Sequence, residues 1–342
     1  MVTAAAKDVG GSPLLDPRLA PLLLFDNDGK ASDGIGHARD DAGFFFYSIP
    51  TNQLLNTRVD TMRDHRYWAT PQGWLLMAAR GSPETFLWDP FTGGRIGLPL
   101  DREGFLRRGD GRRRCVLSRK PAVAAADDAD CVVLVVDLAD TALWHCRIGG
   151  ADRRWLKHEF QPATFGAVVT HGAVRSAMSC LAAVEGRFVM KFGRSKIATL
   201  EFSPGPVFAV TPVDEDRAIS PPVTCSSECL VESHGDLFCV RFRWPQTRTR
   251  IVAGIGVFKL DLSARAWVKA ESLDGRVFLV HHCKFGASLD PQEDGLKGDC
   301  VYYCLQGDKA LYVYNMERGT TALYDPGPCL QDHHSPTVFM TT

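Results

Sequence analysis

The feature that most constrains this chain is a pattern of strand, turn and strand that recurs six times. Each copy begins with an alternating apolar strand, passes through a polar or glycine-containing turn and ends with a second short strand. The copies centre on Phe45, Leu87, Leu143, Ala198, Val257 and Tyr312. They stand roughly 40–60 residues apart, which is the period of propeller blades. The repeat therefore favours one closed ring of similar units.

Most intervals between the copies have room for two further strands. The intervals contain short apolar runs rich in Val, Phe, Tyr, Trp and Cys, which are typical of β-structure. Residues 131–138 and 300–305 are nearly continuous apolar runs, as expected of strands buried on both faces. Four antiparallel strands per period make one blade. The sequence predicts an all-β, kelch-like fold, a single β-propeller of about six four-stranded blades. A β-sandwich pair and a solenoid are the alternatives.

The expected domain boundaries follow from where the repeat begins and ends. We expect a flexible N-terminal tail over residues 1–20, a propeller domain over residues 21–330 and a C-terminal tail over residues 331–342. A chain of 342 residues is long for one domain. All-β folds of this size nevertheless occur as single units.

Charge, hydropathy and cysteine content indicate where in the cell the protein is expected and which kinds of partner it is not expected to attract. The formal net charge of −1 gives no overall attraction to nucleic acid or anionic membranes. No apolar stretch approaches the roughly 18 residues of a membrane span, and the first residues lack the apolar core of a signal peptide. The 11 cysteines are an odd number, and several lie in apolar runs, which indicates reduced, buried thiols. We expect an intracellular protein, in cytoplasm or nucleus, and the sequence leaves an organelle open.

Three blocks of sequence carry a family resemblance. The first is Trp74-Leu-Leu followed by FLWDPFTGGRIGLPL, the second is CLVESHGDLFCVRF leading to VFKLDLSARAWVKAESLDGRVFLV, and the third is GLKGDCVYYC followed by LYVYNMERGTTALY. In order and spacing these blocks resemble the plant KIB-type β-propeller family, an F-box-associated group. The resemblance covers about residues 21–328. Asp89 stands where the family usually has Asn.

The resemblance implies a protein-binding role. It suggests recognition of substrates in ubiquitin-linked or kinase-regulating pathways. Many relatives carry an F-box before the propeller, a helical module of roughly 40–50 residues that binds a ubiquitin-ligase adaptor. Only about twenty residues precede Pro21 here, so direct binding to that adaptor is not expected. The expected partner is an unidentified protein.

No motif in the sequence indicates a catalytic, cofactor-binding or metal-binding site. Gly254 and Gly256 form a GxG pair, but a strand pattern follows where a dinucleotide site needs a helix. Cys300 and Cys304 would lie roughly 13 Å apart along a strand, too far to share one zinc ion. We therefore predict no catalytic residue, no cofactor and no metal. A propeller hydrolase is an alternative, and it requires Asp, Glu or His with shifted pKa values at the channel mouth.

Two groups of residues are candidates for interaction. The first group is an arginine-rich run: Arg107, Arg108, Arg112, Arg113 and Arg114. Such a run binds phosphates, so a nucleic-acid-binding propeller is a second alternative, and a solvated hairpin between blades is the plainer interpretation. The second group is Trp68 and Trp244, which flank turns and form the expected exposed pair, whereas other tryptophans lie in strands and are expected in the core. The leading prediction is a non-catalytic protein-binding propeller without membrane contact.

Overall fold

A computed structural model of the chain defines the fold. It describes residues 14–25, 44–108, 113–121, 131–138, 142–149, 154–159, 181–192, 195–203, 205–215, 226–245, 252–281, 285–291, 296–333 and 335–341.

The described residues form 26 strands, two four-residue α-helices and one 3-10 helix at Pro17–Leu19. The α-helices are α1 (Asp60–Arg63) and α2 (Phe105–Arg108). In chain order the strands are β1 (Leu22–Phe25), β2 (Phe44–Ser48), β3 (Gln53–Thr57), β4 (His65–Ala69), β5 (Leu75–Ala79), β6 (Thr85–Trp88), β7 (Arg95–Gly97), β8 (Arg113–Leu117), β9 (Val132–Asp137), β10 (Ala142–Arg147), β11 (Leu156–Glu159), β12 (Leu181–Val184), β13 (Arg187–Phe192), β14 (Lys196–Phe202), β15 (Pro206–Pro212), β16 (Asp214–Glu215), β17 (Ser226–Ser233), β18 (Asp236–Arg243), β19 (Gly254–Asp261), β20 (Ala266–Lys269), β21 (Val277–His281), β22 (Phe285–Leu289), β23 (Cys300–Cys304), β24 (Leu311–Asn315), β25 (Thr320–Tyr324) and β26 (Thr337–Phe339).

The strands form six sheets, which are the six blades of a β-propeller. Blade 1 has the order β26-β1-β2-β3, and blades 2, 3 and 4 follow the chain as β4–β7, β8–β11 and β12–β15. Blade 5 has the order β16-β20-β19-β18-β17, and blade 6 the order β22-β21-β23-β24-β25. The predicted all-β propeller of about six blades is confirmed. Each of the six sequence copies is the outer hairpin of one blade.

The core lies between the blades. Each of the six apolar clusters found among the described residues joins two neighbouring blades. The apolar run of β9 shows why, because successive side chains of a strand point to opposite faces. Val132 and Leu134 pack toward blade 4, while Val133 and Val135 pack toward blade 2. Strand β9 is therefore apolar at nearly every position, and the usual alternation disappears from its sequence.

The ring is closed by the C-terminal part of the chain. Strand β26 pairs antiparallel with β1, Phe339 opposite Leu22, and becomes the innermost strand of blade 1. The prediction of a tail over residues 331–342 is therefore wrong at β26. The predicted tail over residues 1–20 is also wrong for residues 14–20, since Leu15 is buried and its N–H donates to the carbonyl of Pro90. Three-residue β26 is too short to stand out in the sequence, and tertiary pairing decides its conformation.

Blade 6 departs from the four-stranded pattern. It has five strands, and β21 pairs parallel with β23, because the chain first turns inward to form β22. Strand β22 then lies against β17 of blade 5. At this contact a Cβ on Gly286 would come within 2.5 Å of the carbonyl oxygen of Leu230, so only glycine fits. The Sγ of Cys229 also donates to the carbonyl of Phe285 at 3.1 Å.

Four outer hairpins share one turn. The turn begins with a Ser, Asp or Asn side chain and has a residue with positive φ four positions later: Ser48 with Asn52, Asp89 with Gly93, Asp261 with Arg265, and Asn315 with Gly319. The first side chain accepts hydrogen bonds from backbone N–H groups inside the turn. Such local acceptors stabilise turns without help from tertiary contacts. This regularity is a further sign of the repeat.

None of the helices in the described ranges is long and apolar enough to span a membrane.

Candidate functional site at the channel mouth

A cavity of about 340 Å³ opens where the innermost strands of five blades end. Its walls combine the turn after β4, the residues that follow β8, strand β12 with its hairpin turn, Glu232 near the end of β17, and strand β22. Residues that line it include Gln72, Arg119, Lys120, Glu185, Glu232 and Ser288. We call these six residues the channel mouth. Because the walls come from blades 2 to 6, any ligand there contacts most of the ring at once.

The charges of the channel mouth are divided between blades. Blade 3 contributes the cations Arg119 and Lys120, both exposed. Blades 4 and 5 contribute the carboxylates of Glu185, which is exposed, and Glu232, which is half-buried. A surface with separate positive and negative sides orients a charged partner and rejects wrong ones.

Tight turns hold the two carboxylates. Val184 pairs with Arg187 and Ser233 with Asp236, so each hairpin turn has only two residues. Both turn residues have positive φ, at 48° and 82° for Glu185 and Gly186 and at 53° and 83° for His234 and Gly235. This conformation matches the twist of the strands that it joins. The Oε1 of Glu232 accepts from Gly235 N–H at 2.8 Å, which fixes that side chain.

A polar network supports the blade 6 side of the mouth. The Nε of Arg276 donates to the Oγ of Ser288 at 2.8 Å, and that hydroxyl donates to the Oγ of Ser233 at 3.0 Å. Arg276 also lies 3.0 Å from the carboxylate of Asp290 and contacts the ring of His234. The two serines are thus held by an arginine. A nucleophilic serine would instead need a general base as its neighbour.

The arginine-rich run does not form one exposed cluster. Arg113 and Arg114 lie in β8, the innermost strand of blade 3, where both faces of the strand are covered. The guanidinium of Arg113 lies 5.0 Å from the ring centre of Trp144, and Nη2 of Arg114 donates to the carbonyl of Leu181 at 2.6 Å. The prediction that these two arginines are free to bind a partner is therefore wrong.

The other arginines of the run also give little support for an exposed binding site. Arg107 is half-buried at the end of α2, and its carbonyl accepts from Arg66. Arg108 ends α2, and its side chain is not described, while Arg112 lies outside the described residues. The basis for a nucleic-acid-binding loop is reduced accordingly, since phosphate contacts need accessible cations.

Trp68 and Trp244 are not an exposed pair. Trp68 lies within β4 and packs against the cluster between blades 2 and 3. Trp244 follows β18, packs against the cluster between blades 5 and 6, and donates from Nε1 to the Oγ of Ser227 at 3.3 Å. Both side chains are half-buried, and they belong to separate blades. The turn positions suggested exposure, but packing between neighbouring blades partly covers both rings.

One buried histidine with a large pKa shift lies away from the channel mouth. Burial, the neighbouring His158 and Arg147 together lower the pKa of His145 to about 4. His145 stacks on His158 with ring centres 5.0 Å apart, and Phe202 of blade 4 covers it at 4.1 Å. His145 therefore lies in a blade interface and not among the residues that line the cavity. Burial and these two neighbours explain the lowered pKa of His145 without a catalytic role.

The described part of the chain contains no group of three or more His, Cys, Asp or Glu that could hold one ion. Cys300 and Cys304 both lie in β23, as expected, and both are buried. Burial raises the pKa of Cys115, Cys146 and Cys304, which keeps these thiols protonated and poorly nucleophilic.

The comparisons with known proteins identify a family model and distant folds. The model described as KIB1-4 beta-propeller matches residues 46–325. No curated protein matches the chain significantly. Among solved structures, a protein from Lactobacillus plantarum is 12% identical with a TM-score of 0.42, covering 93% of this chain and 98% of that one. The Cps50 (Swd1) β-propeller domain of Myceliophteria thermophila is 11% identical with a TM-score of 0.36, covering 96% and 89%. A streptogramin B lyase is 9% identical with a TM-score of 0.33, covering 89% and 87%.

Proposed function

Since the chain belongs to the KIB1-4 β-propeller family, we propose that it is a non-catalytic module that binds a partner protein at its channel mouth. The observation that carries the proposal is the division of charge around one cavity: Arg119 and Lys120 on blade 3, Glu185 and Glu232 on blades 4 and 5. Like the plant F-box proteins that it resembles, the propeller would recognise a substrate or regulatory partner.

The tight turns and strands around the mouth support its use as a preorganised binding surface. A two-residue turn presents Glu185, Glu232 lies in β17 just before another such turn, and strand β22 forms another wall. A preorganised surface loses little entropy when it binds, so more of the contact energy appears as affinity. A partner that presents a carboxylate to blade 3 and a cation to blades 4 and 5 fits this charge distribution.

Reversal of the mouth charges tests the proposal. The double variant Lys120→Glu/Glu185→Lys keeps the net charge but exchanges the signs on blades 3 and 4. Proximity labelling in native cells, followed by binding measurements with the recovered protein, should show at least a tenfold loss of affinity, about 1.4 kcal/mol. The double variant Lys269→Glu/Glu271→Lys provides a matched control, since this ion pair lies on the rim, at and just beyond the end of β20, with exposed side chains. Unchanged binding by the mouth variant would contradict the proposal.

A separate experiment addresses the ligase adaptor. The described residues contain no helix longer than four residues, whereas an F-box is helical. We propose that the chain does not bind the adaptor directly. Recovery of a stoichiometric complex between the two purified proteins would refute this.

A further inference from the structure

Strand β25 is an unprotected edge. It is the outermost strand of five-stranded blade 6, and all five of its residues are exposed. Leu323 is 60% exposed and Tyr324 is 43% exposed, so apolar side chains accompany the open backbone. An outermost strand presents unpaired N–H and C=O groups, which another strand can satisfy.

The outermost strands of the other blades are charged, short, bounded by proline, partly paired or less exposed in their apolar side chains. Strand β15 begins and ends with proline, β11 carries Lys157 and Glu159, and three-residue β7 begins with Arg95. Strand β20 is covered at Ala266 and Trp267 by β16, which pairs with it in parallel. Strand β3 also lacks charge and proline, but its two leucines are half-buried, not exposed. Charges, proline and short length are the usual protection of sheet edges. Strand β25, with the sequence TTALY, has neither charge nor proline.

The sequence of β25 is complementary to itself. When two copies pair antiparallel about Ala322, Thr320 lies opposite Tyr324 of the second copy, and Thr321 opposite Leu323. Pairs of a β-branched residue with an aromatic or aliphatic residue stabilise antiparallel sheets. Ala322 meets itself on the two-fold axis, where its small side chain avoids a clash.

The charges that flank β25 also match in this register. Arg318 is exposed in the turn before the strand. Asp325 follows the strand with a side chain that is 56% exposed, and one of its oxygens lies 3.2 Å from Nζ of Lys309 in the same chain. Antiparallel pairing about Ala322 places Gly319 opposite Asp325 of the second copy, so Arg318 lies beside that carboxylate. The two-fold axis creates this contact twice. In a parallel, in-register pair, Arg318 would instead lie beside Arg318 of the second copy, and Asp325 beside Asp325.

We propose that two copies of this chain associate through β25, forming a continuous antiparallel sheet of two blades 6 across a two-fold axis centred on Ala322. The contact is closed, because each copy uses its free edge once. Its small size predicts a weak dimer that forms in the micromolar range or above. The channel mouth is not part of this surface.

Sedimentation velocity across about 1–200 µM protein measures the association expected of a small interface. The variant Ala322→Lys places two like charges opposite each other and should abolish the dimer. The variant Ala322→Glu should do the same alone, and an equal mixture of the two variants should restore a dimer. Val210→Lys on the outermost strand of blade 4 is the matched control and should dimerise like the parent. A parent that stays monomeric, a dimer insensitive to Ala322→Lys, or open-ended oligomers would each overturn the proposal.

Disulfide trapping tests the register. The background variant Cys329→Ser removes the one cysteine that is exposed among the described residues, which follows this strand in the chain. In that background Ala322→Cys should form an intermolecular disulfide, since directly opposed Cα atoms lie about 4.5–5.5 Å apart. Thr320→Cys should not, because four residues separate it from its own copy along the paired strand, roughly 13 Å. Equal trapping at both positions would contradict the register.

Discussion

At the scale of single residues, the contact between blades 5 and 6 depends on the absence of one side chain. A Cβ on Gly286 would lie 2.5 Å from the carbonyl oxygen of Leu230 and 2.9 Å from Sγ of Cys229. Backbone on both sides cannot move without separating two innermost strands. We expect Gly286→Ala to lower the free energy of unfolding by about 1–3 kcal/mol, measured by urea denaturation.

Gly97 provides the control for this substitution. It lies in outermost strand β7, and a Cβ there would meet nothing within 4 Å. Gly97→Ala should leave stability unchanged or raise it slightly, by about 0.4–1 kcal/mol, because alanine reduces the entropy of the unfolded chain. Equal losses in the two variants would show that steric contact at β22 is not the cause.

At the scale of elements, the turn that joins β6 to β7 depends on one buried acceptor. Asp89 accepts from Phe91 N–H at 2.9 Å and from the Thr92 hydroxyl at 2.6 Å. Asp89→Ala leaves these donors unsatisfied and should cost about 1–3 kcal/mol in a thermal or urea unfolding experiment. Asp89→Asn retains an oxygen acceptor and should cost less than about 1 kcal/mol. A loss as large for Asn as for Ala would show that charge, not the acceptor, stabilises the turn.

The elements also show how far the sequence predicts this fold. The outer hairpins were predictable, because alternation and turn residues are local signals. Strands β22 and β26 were not, since one reverses the usual order within blade 6 and the other closes the ring from the far end of the chain. Pairing across long sequence separations decides both. Arg113 and Arg114 were predicted as interaction candidates for the same reason, because nothing in a charged run of sequence indicates an innermost strand.

At the scale of the whole molecule, the ring explains why the candidate site was not legible in the sequence. Lys120, Glu185 and Glu232 are separated by dozens of residues, and none belongs to a motif that signals chemistry. Circular closure brings the ends of five innermost strands around one cavity. A prediction of six blades implies a channel mouth, but only the order and register of the strands decide which side chains line it.

The blade interfaces also predict how acid acts on the whole ring. His145 lies between blades 3 and 4, and burial with its neighbours lowers its pKa to about 4, whereas an unfolded histidine has a pKa of about 6.5. Between these values the unfolded chain binds the proton and the folded chain does not. Stability is therefore complete above about pH 6.5 and falls as the pH drops toward 4. Discounted for solvent screening, the loss between pH 7.5 and 5 should be about 1–2 kcal/mol from this group.

Urea denaturation of the parent and of His145→Gln at both pH values measures this contribution. The variant lacks the titrating ring, so its stability should change less with pH than that of the parent, whatever its stability at pH 7.5. His333→Gln, at an exposed position, should retain the parent's pH dependence. If His145→Gln retained it too, the acid sensitivity would lie elsewhere in the ring. The stacked pair would then contribute packing between blades 3 and 4 but no response to protons.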